Sequence, residues 1–290
     1  MVLELLVNPA HARGQPFKAL LLGFIYASVA LVIGMWIFES DVSLVAVFLT
    51  VLAAFPLFYD LLSRVAREEY SRGTGTLLWK EHSKTVNVLF FLFVGVMLAF
   101  MAWYLFLPAE SLPATFRSQT GVIQGMDGFS IADSPLPFFG ADGKMRFFAE
   151  ILLNNLGVLL FCVLFSFLYG AGAVFIIVWN ASVIGVALGN FLRSGLSQTA
   201  AFLGLAGPGD YFHVISLGVA RYSVHGITEI VAYLIAGLAG SMISLGLFYG
   251  RKDMHNFREL LADVLELTGV AVLLLVVSAW LEAFVSTALF

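Results

Sequence analysis

The sequence predicts an all-α protein: a polytopic transmembrane helical bundle of about seven spans, with a Gly/Asn-rich polar core in helices four to six. Three observations carry this reading. Of its 290 residues 60% are hydrophobic and 12% charged, roughly half the ~25% charge of an ordinary soluble domain, and the mean hydropathy is +0.95. The apolar residues gather into runs of about twenty, the length that crosses ~30 Å of hydrocarbon. The 27 glycines fit helices that pack closely in lipid, where small residues let backbones approach.

The first apolar run, residues 19–38, supplies helix one. It has no small-residue cleavage site, so it is expected to stay as a membrane anchor. Glu39, Ser40 and Asp41 make a short acidic break. Residues 42–59 form helix two, with Pro56 near its end as a source of kinking. Residues 60–85 are the most charged segment and read as a short amphipathic helix, a turn and a return to the membrane. Their plain reading is a solvated face; the sharper one is a partner-docking surface. Helix three covers residues 86–107 and ends near Trp103 and Tyr104, residues favoured at the interface. Residues 108–144, rich in Pro and Gly, form a long hydrophilic loop without a long periodic run.

Helix four covers residues 147–168, and Gly170 and Gly172 make a tight link to helix five at 173–192. Residues 193–209 read as a Gly-rich connection and 210–224 as a short helix or re-entrant piece. Helix six covers 227–249, a polar connector 251–266, and helix seven 268–289 with Glu282 near its end. Three regions follow: a three-helix membrane region over 1–107, an extracytoplasmic loop over 108–146, and a C-terminal membrane region over 147–290.

Arg13 and Lys18, then Arg64, Arg67, Arg72, Lys80 and Lys84, then Arg251, Lys252 and Arg258 are ten of the fifteen basic residues. Seven spans that start inside put all three groups on the cytoplasmic side, as the positive-inside rule asks. The N-terminus is then cytoplasmic and the C-terminus extracytoplasmic, in a multi-pass protein of the cell membrane.

The polar residues of 150–250 are the candidate functional set, because polar groups in hydrocarbon are costly unless they face protein or water. Arg221, His225 and Glu229 are spaced four and four, so they share a face if the helix runs unbroken through Gly226. Their plain reading is a structural staple, and the sharper one is a proton or solute path. Asn154 and Asn155 read as caps near the start of helix four or as inter-helix pairs. Asn180 and Asn190 lie in helix five beside Gly185 and Gly189, a small-xxx-small spacing that favours close contact. Gly237 and Gly240 offer helix six a similar surface. These residues either pack helices four to six tightly or line a polar pocket holding Asn180, Asn190, His225 and Glu229.

Other classes are poorly served. The net charge of -4 argues against a nucleic-acid partner. The single cysteine, Cys162, excludes an intramolecular disulfide and a Cys-based zinc site. His225 and Glu229 with His213 make an incomplete metal-site edge, and H-E-x-x-H, G-x-S-x-G and Walker A sequences are all absent. No catalytic residue, metal or cofactor is assigned. The expected partners are the bilayer and either further copies of the chain or other membrane proteins.

Three stretches resemble the stage II sporulation protein M family. They are F-F-A-E-I-L-L-N-N-L-G-V-L-L-F from residue 147, Y-G-A-G-A-V-F-I-I-V-W-N-A-S-V-I-G from 169, and S-V-H-G-I-T-E-I-V-A from 223. The last departs from the family's P-H-G-x-x-E-x-x-A pattern at Val224, where proline is usual, but keeps His225, Gly226 and Glu229. The first three helices, with R-V-A-R-E-E-Y from residue 64, look more like archaeal members. The resemblance implies a non-enzymatic multi-pass membrane component, with a scaffold role. Its bacterial member recruits wall-degrading partners to the engulfing membrane. A transporter or channel remains the rival reading, and an intramembrane metal-dependent hydrolase a weaker one.

Overall fold

Backbone amides and carbonyls in hydrocarbon must find partners within the protein, and helices satisfy them locally. The computed structural model is built accordingly: among the described residues there is no strand, and seven helices are long and apolar enough to cross a membrane. The described residues are 16–38, 41–72, 79–127, 143–166, 171–203, 208–249 and 254–286. Side chains are described over 16–38, 41–64, 83–124, 143–165, 174–197, 226–244 and 258–286, and at 209, 212, 216–218 and 220.

Helix α1, Pro16–Ile37, begins on a proline, whose missing amide costs nothing at a helix start. The break before α2 turns on Asp41, whose φ of 63° is a left-handed conformation that aspartate tolerates better than most residues. Helix α2, Val42–Arg72, continues past its candidate span Val42–Arg64, with Pro56 inside it. The amphipathic piece expected after residue 60 is therefore the extension of α2, not a separate helix. Helix α3, Trp79–Phe106, likewise starts before its apolar run.

The long loop is more ordered than its composition implied. A 3-10 turn at Ala109–Ser111 leads into α4, Leu112–Thr115, and α5, Arg117–Asp127. Phe116 is fully buried between the rings of Phe100 and Tyr104, at centroid distances of 6.2 and 5.3 Å. The Ser118 amide donates to the Ser43 hydroxyl at 3.2 Å. Docking onto α2 and α3 holds a segment whose local propensity is weak. Residues 128–142 lie outside the described residues.

Helix α6, Gly143–Ser166, is followed by α7, Ala171–Leu203, and α8, Pro208–Tyr249. Two expectations are corrected here. Residues 193–203 continue α7 instead of forming a connection. Residues 210–249 form one helix, because Gly226 costs a helix interior about 1 kcal/mol, too little to break 42 residues of otherwise favourable sequence. At 1.5 Å per residue α8 is about 63 Å long, roughly twice the hydrocarbon thickness. Helix α9, Met254–Trp280, includes most of the expected polar connector and ends in a π-helical turn at Leu281–Ser286.

Helix α8 is central. In its candidate span 72% of the most apolar stretch is buried, against 28% for α1 and 22% for α6. It packs on α9, α6, α7 and α2. The widest helix contact is between α1 and α3, and it interlocks through glycines: Gly23 meets the Leu92 backbone and Gly95 the Leu20 backbone.

Candidate functional site

The small residues of helix five set its position first. A side chain at Gly185 would meet the Met97 carbonyl, and a Cβ at Gly189 would stand 2.9 Å from that of Tyr104. The G-V-A-L-G spacing therefore does make a close helix contact, but with α3 and not within helices four to six. As residue numbers rise along α7 they rise along α3, so the two helices run in the same direction. At the top of this contact the Tyr104 hydroxyl donates to Asn190 Oδ1 at 3.2 Å. Arg193 Nη1 donates to the carbonyls of Tyr104 and Leu107 at 3.1 and 2.9 Å. The Tyr104 carbonyl lies in the last turn of α3, where its helical partner would be the amide that Pro108 lacks, and the Leu107 carbonyl lies one residue past the helix end, so a cation there both bonds them and complements the helix dipole.

A second polar contact joins the loop to α7. Gln119 Nε2 donates to Ser182 Oγ at 3.1 Å, and Ser182 Oγ donates to the Trp179 carbonyl at 2.7 Å. Both side chains are fully buried, and Gln119 Oε1 has no partner. Asn180 donates to the Ile176 carbonyl of its own helix at 2.8 Å. Asn190 is exposed. Asn180 and Asn190 thus bond in separate places, and neither makes a hydrogen bond to Glu229.

Glu229 belongs to a third group. The Tyr233 hydroxyl, one turn along α8, donates to Glu229 Oε1 at 2.8 Å. Glu282, in the π-helical turn, lies within electrostatic reach of Glu229 and Tyr233, and Cys162 of α6 within reach of Tyr233. Phe148 of α6 packs on Phe284 of the π-helical turn, with centroids 6.5 Å apart. Helices α6 and α8 and the π-helical turn pack on one another here, and π-helical turns often occur at functional positions. Tyr233 and Glu282 were missed as site residues, although a tyrosine four residues after Glu229 and an acid in an apolar helix were legible signals. Helix α8 runs unbroken through Gly226, as the four-and-four spacing requires. The side chains of Arg221, His225 and Gly172 lie outside those described, and Gly170 outside the described residues. Gly237 and Gly240 are buried in the C-terminal third of α8, while a Cβ at Gly226 would meet no atom within 4 Å.

Asn154 and Asn155 are the twelfth and thirteenth residues of α6, too deep in the helix to cap it. Asn155 is 4% exposed and its Nδ2 has no partner. Asn154 is exposed; its Nδ2 makes a long bond of 3.4 Å to Asn155 Oδ1. Among the described residues, no three His, Cys, Asp or Glu side chains are grouped to hold a metal ion.

The stage II sporulation protein M family model matches residues 86–287. No curated protein and no solved structure matches the chain. The family match begins in α3 and takes in the docked loop, the α3–α7 contact with Arg193, and the Glu229–Tyr233–Glu282 cluster, leaving out α1 and α2. It covers well over half of the 290 residues, and with seven membrane-length helices arranged as described, the chain belongs to the stage II sporulation protein M family of multi-pass membrane proteins.

Proposed function

We propose that this protein is a non-enzymatic membrane scaffold that holds other membrane-spanning chains against the outer face of α6. One observation carries the reading: Asn154 is exposed near the middle of the candidate span Gly143–Phe165, the least buried of the seven. A side-chain amide facing lipid is costly, and hydrogen bonding across a helix–helix contact removes the cost. The surrounding surface suits a second helix. Leu153, Leu160, Phe161 and Leu164 are 47 to 58% exposed, and the space beyond Gly157 is open. These positions recur at three- and four-residue intervals, one stripe along the helix.

The orientation belongs to the same proposal. A cytoplasmic N-terminus and an extracytoplasmic C-terminus rest on the ten basic residues grouped above, and the common direction of α3 and α7, with one span between them, fits alternating crossings. The archaeal-type assignment rests on the resemblance of the first helices, which precede the family match.

The test uses Asn154→Leu and Gly157→Leu, alone and together, in native membranes. After mild solubilisation the wild-type chain is expected to migrate in a complex heavier than its own 31.6 kDa, and the double variant as a single chain. A monomeric wild type, or a complex indifferent to both substitutions, contradicts the reading. A second reading, a transporter or channel, draws support from Glu229, Tyr233 and Glu282 at membrane depth. It predicts an ion or solute flux in proteoliposomes that Glu229→Gln abolishes.

A further inference from the structure

A groove of about 390 Å³ lies between α3, α8 and α9. On α8 it follows Ile227, Val231, Ile235 and Leu238, spaced four, four and three, so one stripe of the helix makes a continuous wall. Val86 and Phe90 of α3 face it, and Leu267 of α9 closes the floor. All of these residues lie in candidate membrane spans. Leu238 and Leu267 are buried and Ile227 is 47% exposed, so the groove is closed in at its Leu238 end and opens towards lipid at Ile227. Helix α8 runs opposite to α7 and α3, with Gly218 against Phe191 and Gly189 against Tyr104, so the start of α3 lies at the Leu238 end and Ile227 lies nearer the middle of the span. Its polar members are Ser83 and Asn87, both exposed and one turn apart at the end of the span Ser83–Phe106, with exposed Lys84 beside them.

Dimensions decide the occupant. Ile227 to Leu238 is about 16 Å of helix at 1.5 Å per residue. Even the whole empty space between its walls, about 860 Å³, spread over that length leaves a mean cross-section of about 52 Å². A helix with its side chains is ~10 Å or more across, or ~80 Å² in section, so a second copy or a partner helix does not enter. Water finds almost no hydrogen-bond partner on these walls. An empty groove would forfeit the dispersion contacts of every wall atom. A single hydrocarbon chain meets all three conditions.

We infer that this groove is a lipid site: it holds one acyl chain of a membrane phospholipid, with the headgroup at Ser83 and Asn87. Moving an acyl chain from the bilayer into the groove gains little hydrophobic energy, since lipid tails are as apolar as leucine. Retention therefore depends on the fit to the walls and on hydroxyl and amide hydrogen bonds to the headgroup. Filling the groove and stripping its rim should each release the lipid.

The experiment places the full chain in nanodiscs of phosphatidylcholine and phosphatidylglycerol, transfers it to detergent, and weighs it intact by mass spectrometry. The wild type is expected to retain one phospholipid mass per chain. Val231→Trp fills the groove and should lower that occupancy at least about tenfold. Asn87→Ala lies at an exposed position outside the core and should lower it several-fold, which keeps the test valid if the tryptophan variant folds poorly. Leu52→Trp, at an outward-facing position of α2 that is 68% exposed, should retain the wild-type occupancy. The inference is overturned if the wild type retains no phospholipid, if it retains a free fatty acid instead, or if Asn87→Ala and a folded Val231→Trp keep the wild-type occupancy.

Discussion

Replacing Gly95 by alanine sets two physical effects against each other, and the structure says which wins. By helix propensity alone the change stabilises α3 by about 1 kcal/mol. By packing it does the opposite. A methyl group at Gly95 would lie 2.8 Å from the Leu20 carbonyl carbon and 3.0 Å from its Cα, where carbon atoms settle at about 3.5–4.0 Å. The obstructing atoms are backbone, so no rotamer change relieves them and α1 must move away from α3. Overpacking costs about 1–3 kcal/mol. Backbone contact argues for the upper half of that range, so the net loss after the propensity gain is about 1–2 kcal/mol. Helix α1 is only 28% buried over its apolar stretch, and its main contacts are with α3 and α2. Gly157→Ala is the control, since a Cβ there meets nothing within 4 Å, and it should stabilise the solubilised monomer by up to about 1 kcal/mol. Unfolding titrations with dodecyl sulfate in mixed micelles measure both. Gly95→Ala at or above wild-type stability would refute the close α1–α3 crossing.

Other expectations follow from the polar contacts. Arg193→Gln removes a charged donor from two carbonyls at the C-terminal end of α3, Tyr104 and Leu107, and should cost about 1.5–3 kcal/mol, with faster amide exchange in the loop after Leu107. Ser182→Ala strips the buried Gln119 amide of its partner and should cost about 1–3 kcal/mol, whereas Ser182→Ala with Gln119→Met should recover most of it, because removing both partners leaves nothing unsatisfied. A double-mutant cycle on unfolding free energies reads this directly, and strict additivity would contradict the bond. Tyr233→Phe leaves Glu229 without its hydroxyl donor and should lower stability by about 1–3 kcal/mol, seen as a lower midpoint in the same titration.

Hydropathy reveals the part of a helix that meets lipid, so the seven crossings were legible and their ends were not. Polar residues carry α2 to Arg72 and α7 to Leu203 beyond the apolar runs, where no lipid preference marks them. The small residues Gly185 and Gly189 correctly announced a close helix contact. Nothing local could say that the partner was α3, about ninety residues earlier, because small-residue spacing carries no address. Gln119 looked like a loop residue; its burial depends on Ser182, a tertiary match invisible to local pattern. Asn154 and Asn155 read as caps or as inter-helix pairs; the capping alternative fails because both lie about three turns into a helix that starts at Gly143. Of the four residues read as lining a polar pocket or else as packing helices, Asn180 and Asn190 bond to Ile176 and Tyr104 and Glu229 to Tyr233, and the side chain of His225 lies outside those described.

The scaffold reading stands on the outer face of α6, and photo-crosslinking from Leu160 in native membranes tests it most directly. Leu160 is 56% exposed beside Phe161, while neighbouring Leu159 is 6% exposed and points into the bundle. A photoreactive side chain at 160 is expected to give one recurrent adduct with a membrane-spanning chain, lost on Asn154→Leu with Gly157→Leu, and the same group at 159 is expected to react within the chain. Crosslinks from 160 to lipid alone, with no recurrent protein adduct, would contradict the account.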